Sequence, residues 1–118
     1  MRAAAEVLQK FTACFNARDA AGMDACLHFP HVLLSGSQLV IWDKPGSLPA
    51  NFFGELERSG WDRTVYTYLT PILVSADKVH FDVGYSRLRK DGGVLTTHRN
   101  IWFATREQNR WGIKLRSY

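Results

Sequence analysis

Two cysteines, two methionines and four prolines are all that 118 residues contain of those types. Cys14 and Cys26 are too few for a disulfide framework and form no CxxC pair. Both fall in apolar helical patterns, where a free thiol behaves as a small buried hydrophobe. No stretch approaches the roughly 20 apolar residues of a membrane span, and residues 1–10 lack the continuous apolar run of a signal peptide. A cytoplasmic protein with no membrane partner is expected. The four histidines, His28, His31, His80 and His98, show no ligand spacing with Cys, Asp or Glu, so neither a metal nor a cofactor is expected. Basic residues never cluster beyond Arg87, Arg89 and Lys90, and no nucleic-acid motif is present, so nucleic acid is not an expected partner.

What is present is ordinary in amount and uneven in placement. The chain is 46% hydrophobic and 22% charged, as globular domains are, and its length suits a single domain over residues 1–118. Folding a chain of this size buries roughly two thirds of its unfolded surface, enough for a core without staples. The net charge of +4 sits in the second half: residues 1–60 hold five Lys/Arg against six Asp/Glu, residues 61–118 ten against five. Aromatic residues reach 13%, enough to wall a cavity as well as fill a core.

The first half reads as helical. Ala3, Val7, Leu8, Phe11, Cys14 and Phe15 recur at three- and four-residue spacing, which predicts an amphipathic helix over residues 2–17. Asp19 is a good N-cap for a second helix over 20–27, and Pro30 forbids its continuation. Val32-Leu33-Leu34 and Gln38-Leu39-Val40-Ile41-Trp42 flank Ser35-Gly36-Ser37, a turn of hairpin length. A third helix starts at Ser47 or Pro49 and runs to about residue 58, where Ser59-Gly60 stops it. Strands follow over 61–75, 78–88, 94–106 and 111–118. Their short turns at Ala76-Asp77, Asp91-Gly92-Gly93 and Gln108-Asn109 can join only antiparallel neighbours. Trp111, Ile113 and Leu115 alternate as core positions of the last strand.

Helix, helix, hairpin, helix and four long strands, in that order, resemble the nuclear transport factor 2-like (SnoaL-like) superfamily over essentially the whole chain. Local matches are Phe15-Asn16-Ala17-Arg18-Asp19, Phe29-Pro30-His31-Val32 and Arg110-Trp111-Gly112-Ile113-Lys114-Leu115-Arg116-Ser117. The last two look most like an uncharacterised bacterial branch. The resemblance implies an α+β fold, a cystatin-like cone with three N-terminal helices packed in the concavity of a strongly curved, mostly antiparallel sheet. Such a fold hosts many functions. Where a ketosteroid isomerase carries its tyrosine donor and aspartate base, this chain has Phe11 and Ser35, and an isomerase needs both a base and an enolate donor. Asp82 and Arg99 supply only part of an epoxide hydrolase constellation.

Pairing arithmetic assigns a face to each strand residue, because directly opposite residues share a face. A two-residue turn at Ala76-Asp77 sets Val74 opposite Val79, Ile72 opposite Phe81, Thr70 opposite Val83 and Tyr68 opposite Tyr85. The concave face then carries Tyr66, Tyr68, Ile72 and Val74 with Val79, Phe81, Val83, Tyr85 and Arg87. Pro71, in mid-strand, suggests a bulge that shifts the register beyond it. At the next hairpin, a two-residue Asp91-Gly92 turn sets Tyr85 opposite His98, Val83 opposite Asn100 and Phe81 opposite Trp102. A glycine-bulge loop instead turns Arg99, Ile101 and Phe103 inward, and one residue of slip exchanges the whole face. The first register groups His98 as the candidate acid/base, able to exchange a proton near neutral pH. Around it stand His31, Tyr66, Tyr68, Tyr85, Asn100 and Trp102 as candidate ligand-binding residues. His31 has the plainer reading of a structural hydrogen bond to backbone.

Two functions fit this reading. The first is a small-molecule-binding protein, in its catalytic form a proton-transfer enzyme of cyclase, isomerase or dehydratase type, with an apolar or aromatic ligand in the cone. The second is a non-catalytic dimeric module with a vestigial pocket. A homodimer through the convex sheet face is expected in either case, because Thr67, Leu69, Leu73 and His80 leave that face apolar.

Overall fold

The structure is a computed structural model that describes residues 2–118; Met1, where the expected domain begins, lies outside the described residues. The protein is α+β, with three helices and a six-stranded mixed sheet. Helix α1 (Arg2–Asn16) buries Ala4, Leu8, Phe11 and Thr12 along one stripe. Arg18 then turns left-handed (φ 58°), and the Asp19 amide bonds back to the Cys14 carbonyl at 2.9 Å, which ends the helix. Asp19 caps α2 (Ala20–Ala25), its carboxylate accepting from the Gly22 amide at 2.9 Å. Helix α3 (Phe52–Arg58) starts later than the spacing predicts, residues 47–51 forming a loop. Among the described residues no helix is long and apolar enough to cross a membrane.

The strands are β1 (Leu27–Ser35), β2 (Gln38–Trp42), β3 (Arg63–Val74), β4 (Lys78–Leu88), β5 (Val94–Glu107) and β6 (Arg110–Ser117), ordered β2-β1-β6-β5-β4-β3. All neighbours are antiparallel except β1 and β6, which run parallel. Strand β1 begins five residues before the predicted hairpin and runs through Pro30. The proline falls in the gap of the β1–β6 ladder between Leu27 and Val32, where a missing amide proton costs no ladder bond. One core joins α1, α2 and the concave sheet face through Leu8, Phe11, Met23, Val79, Phe81, Val83, Trp102, Ala104 and Ile113.

Three irregularities decide which side chains reach that face. In β3 the register slips between Pro71 and Leu73 and again between Tyr66 and Tyr68. Val74 therefore pairs with Val79 as arithmetic predicts, but Pro71 lies opposite Phe81, Leu69 opposite Val83 and Tyr66 opposite Tyr85. The expected pairs of Ile72 with Phe81, Thr70 with Val83 and Tyr68 with Tyr85 are corrected by these bulges. Tyr68 pairs with Gly84 and lies on the convex face, 39% exposed. In β6, Lys114 is an extra residue between the pairs Phe103–Leu115 and Ala104–Ile113. That bulge turns Leu115 away from the core and Arg116 into it, which corrects the simple alternation expected of Trp111, Ile113 and Leu115.

The β4–β5 hairpin reaches the expected register by a different route. Leu88 pairs with Val94 across a longer loop, stapled by the Arg89 amide to the Gly93 carbonyl at 2.8 Å. A bulge at Leu95 then restores the pairs of Tyr85 with His98, Val83 with Asn100 and Phe81 with Trp102. Arg99 lies on the convex face in a two-point bond to Asp82, at 3.0 and 2.9 Å.

Candidate functional site

Between α1 and the concave sheet lies a cavity of about 490 Å³. Helix α1 contributes Phe11, Thr12 and Phe15, the β1–β2 hairpin Leu33, Val40 and Trp42, and α3 Phe52. The sheet floor is Thr64, Tyr66, Tyr85, Arg87, Trp102 and Arg116, with Tyr118 beyond the end of β6. Edge-on aromatic contacts hold the walls: Phe11 against Trp102 at 5.7 Å and Phe15 against Phe52 at 5.7 Å between centroids. Such packing adds modestly to the area each ring buries.

The polar groups of the walls are tied from behind. Tyr66 donates its hydroxyl proton to the Leu8 carbonyl at 2.6 Å and accepts from Thr12 at 2.6 Å. Burial pushes its pKa up, so it remains a phenol. Asn16, the last residue of α1, uses both ends of its carboxamide on Thr64, donating to the carbonyl at 2.9 Å and accepting from the amide at 2.8 Å. This fixes the helix against the start of β3 and so sets the height of the cavity.

Arg116 is the unusual member. Only 5% exposed, its guanidinium lies over Phe11 at 4.9 Å, Trp42 at 5.6 Å and Trp102 at 5.8 Å. Its Nε donates to His31 Nε2 at 3.0 Å, while His31 Nδ1 donates to the Ile113 carbonyl at 3.0 Å. His31 is fully buried, and burial together with the Arg116 charge lowers its pKa to about 3. A neutral imidazole of one fixed tautomer thus accepts from the arginine. Among the described residues no carboxylate forms an ion pair with Arg116 or Arg87, and none lines the cavity.

Of the residues singled out in the sequence, Tyr66, Tyr85 and Trp102 stand together on the cavity wall. Asn100 is buried beside them on the same face of β5, its Nδ2 without a partner. His98 shares that face, but its ring stacks on Tyr85 at 4.9 Å and bonds Thr96 Oγ1 at 2.8 Å. Tyr85, rather than His98, lines the cavity. Burial, then the Arg87 charge, lowers the His98 pKa. His31 lies behind Arg116 as a support. Tyr68 is absent from the site, carried to the other face by the β3 bulge. Arg116 was not among the candidates, since simple alternation points it outward; Gly112 is the one local hint of an irregular strand. No three His, Cys, Asp or Glu side chains among the described residues converge as a metal site would require.

No protein-family model and no curated protein sequence matches the chain. Solved structures do. A cystatin-like protein of unknown function from Nostoc punctiforme superposes with a TM-score of 0.74 at 11% identity, over 95% of this chain and 84% of that one. An NTF2-like protein with a cystatin-like fold from Novosphingobium aromaticivorans gives 0.74 at 16% identity, over 95% and 75%. A ketosteroid isomerase-like protein from Erwinia carotovora gives 0.61 at 15% identity, over 98% and 92%. Identities this low speak for architecture alone, and the architecture they share with this chain is the cystatin-like fold of NTF2-like proteins.

Proposed function

We propose that the protein binds a small apolar, ring-bearing molecule in the cone, without catalysing a reaction on it. The observation that carries this reading is the cavity itself. Its 490 Å³ falls within the roughly 300–1,000 Å³ typical of small-molecule sites, and such sites combine apolar walls with a few converging polar groups. Binding is favoured over proton transfer by the state of the acid/base candidates. His31 has both ring nitrogens engaged and a pKa near 3, the Tyr66 hydroxyl has two partners, and Tyr85 stands between His98 and the cavity. A general base must come within hydrogen-bond reach of the proton it takes.

The test is saturable binding of a neutral fluorescent probe, N-phenyl-1-naphthylamine, to the wild type and to Leu33→Trp, which fills the cavity from β1. One site per chain in the wild type and none in the folded variant is the expected result; no saturable binding to the wild type overturns the proposal.

A second reading, a homodimer through the convex face, rests on a separate observation. Tyr68 and Leu73 are exposed there, beside a His80–Phe103 stack with centroids 3.9 Å apart. The charges Asp82 and Arg99 neutralise each other within that face, so it asks for no charged partner, and a second copy of the same face suits it.

A further inference from the structure

We propose that the ligand of this cavity is an amphipathic carboxylate, its ring system against the aromatic walls and its carboxylate against Arg116, with Arg87 as the second positive group. The inference rests on the binding reading above and adds to it the charge of the ligand.

Arg116 has no carboxylate partner among the described residues. Taking a guanidinium out of water costs several kcal/mol, and proteins normally offset that with a carboxylate. Here the neighbours are four aromatic rings, Phe11, Trp42, Trp102 and Tyr118, and an imidazole that accepts one bond. Ring faces attract a cation, by about 0.5–2 kcal/mol each, which is enough to hold the side chain in place but leaves its charge uncompensated. A guanidinium has five N–H donors; Nε of Arg116 bonds to His31 and the Tyr118 phenol lies beside the guanidinium, which leaves donors over for a ligand. Both Arg116 and Arg87 belong to the cavity wall, and among the described residues no Asp or Glu side chain does.

A second observation is independent of Arg116. Among the described residues, the buried side-chain polar atoms without a partner are Arg87 Nε, Asn100 Nδ2 and Trp102 Nε1. All three are N–H groups on the concave face of β4 and β5, and two belong to residues of the cavity wall. Buried donors are almost always satisfied, so their concentration around one cavity describes a site short of acceptors. An anion supplies acceptors, and a neutral hydrocarbon does not. The planar fork of a guanidinium matches a planar carboxylate in geometry as well as charge.

The experiment compares 2-naphthoate with 2-naphthylmethanol, which has the same ring and no charge, by calorimetry on the wild type, Arg116→Met, Arg87→Met and Arg99→Gln. A charge-assisted contact is expected to favour naphthoate by about tenfold to a hundredfold in the wild type. Arg116→Met should abolish the preference while leaving the alcohol's affinity within about threefold. Arg87→Met should reduce the preference, and Arg99→Gln, on the convex face, should leave it intact. Alcohol binding as tightly as naphthoate to the wild type overturns the carboxylate assignment and leaves the binding reading standing. Failure of both to bind removes the binding reading itself. If Arg116→Met does not fold, Arg87→Met decides, and an unchanged preference in that variant overturns the proposal. Naphthalene-2-sulfonate bound more tightly than naphthoate overturns the planar carboxylate in favour of a tetrahedral anion.

Discussion

Replacing His31 with glutamine isolates the proton that this site excludes. The imidazole titrates near 6.5 in an unfolded chain and at about 3 in the fold, because it is fully buried beside the Arg116 guanidinium. Between those values the unfolded state holds a proton that the native state does not, so stability rises with pH across the interval. The contribution is complete above pH 6.5 and is lost as pH falls toward 3. One pKa unit corresponds to about 1.4 kcal/mol, so at about pH 4.5 the loss is roughly 2–3 kcal/mol. That is a sizeable part of the about 5–15 kcal/mol that holds a typical domain together. A glutamine side chain can donate to the Ile113 carbonyl and accept from Arg116 without titrating. Urea unfolding followed by tryptophan fluorescence, on both proteins from neutral pH down to about 4.5, measures the difference. The carboxylates of Asp82, held low by Arg99, and of Glu107, held low by Thr105, also weaken the fold as they protonate, but they do so in both proteins and cancel. The stability difference between wild type and His31→Gln should move by about 2–3 kcal/mol in favour of the variant as the pH falls. Parallel curves would refute a neutral, buried His31 and with it the support assigned to Arg116.

Two further outcomes follow from the packing. Gly112→Ala should destabilise the fold by about 1–3 kcal/mol in the same assay, because an added Cβ would lie 2.8 Å from His28 Cδ2, on a ring fixed by bonds to the Thr105 and Arg110 carbonyls and to the Arg110 guanidinium. Gly54→Ala, with nothing within 4 Å and inside α3, should instead stabilise by about 0.5–1 kcal/mol, and a loss there would contradict the helix. Sedimentation velocity at micromolar concentration should show a dimer of the 13.4 kDa chain that Leu73→Lys converts to monomer; a wild type that sediments only as monomer removes the convex-face interface.

Elements whose limits are set locally could be read from the sequence. Helix α1 follows from apolar spacing, α2 from the Asp19 cap, and β4 from the Ala76-Asp77 turn and the Asp91-Gly92-Gly93 loop on either side. The parallel contact of β1 with β6 has no local signature, since its partners Leu27 and Ile113 are separated by most of the chain. That pairing draws β1 back to Leu27, through a proline that would otherwise mark a strand's limit. The opening of α3 moves to Phe52 for a related reason: Leu48 and Pro49 serve as cavity wall rather than as a helical turn.

The site depended on register more than on composition. Period-two arithmetic carries a strand's face faithfully until one extra residue appears, and then inverts it. Along β5 the bulge at Leu95 compensates for the longer loop, so His98, Asn100 and Trp102 keep the face that simple counting assigns. Along β3 the bulge between Pro71 and Leu73 is compensated only beyond Tyr68, by the second bulge that returns Tyr66 to the wall, so Tyr68 leaves the wall for a place over Gly84, whose missing side chain makes room for the ring. Along β6 the extra residue is Lys114, and its effect is chemical as well as geometric. Were the strand to run without the bulge, Lys114 taking a regular place in the ladder, Leu115 would face the cavity and the cone would be lined at that point by hydrocarbon. With it Arg116 enters, a buried cation arrives without a buried anion, and His31 is held neutral. The electrostatic character of the cavity, and hence the class of ligand it suits, therefore depends on a one-residue bulge in β6. Deleting Lys114 should therefore leave Ile113 opposite Ala104, Leu115 opposite Phe103 and Arg116 opposite Trp102, and a folded deletion variant should keep its preference for naphthoate over naphthylmethanol. A deletion variant that folds and loses that preference would show that the bulge itself, rather than the register it sets, holds Arg116 in the cavity.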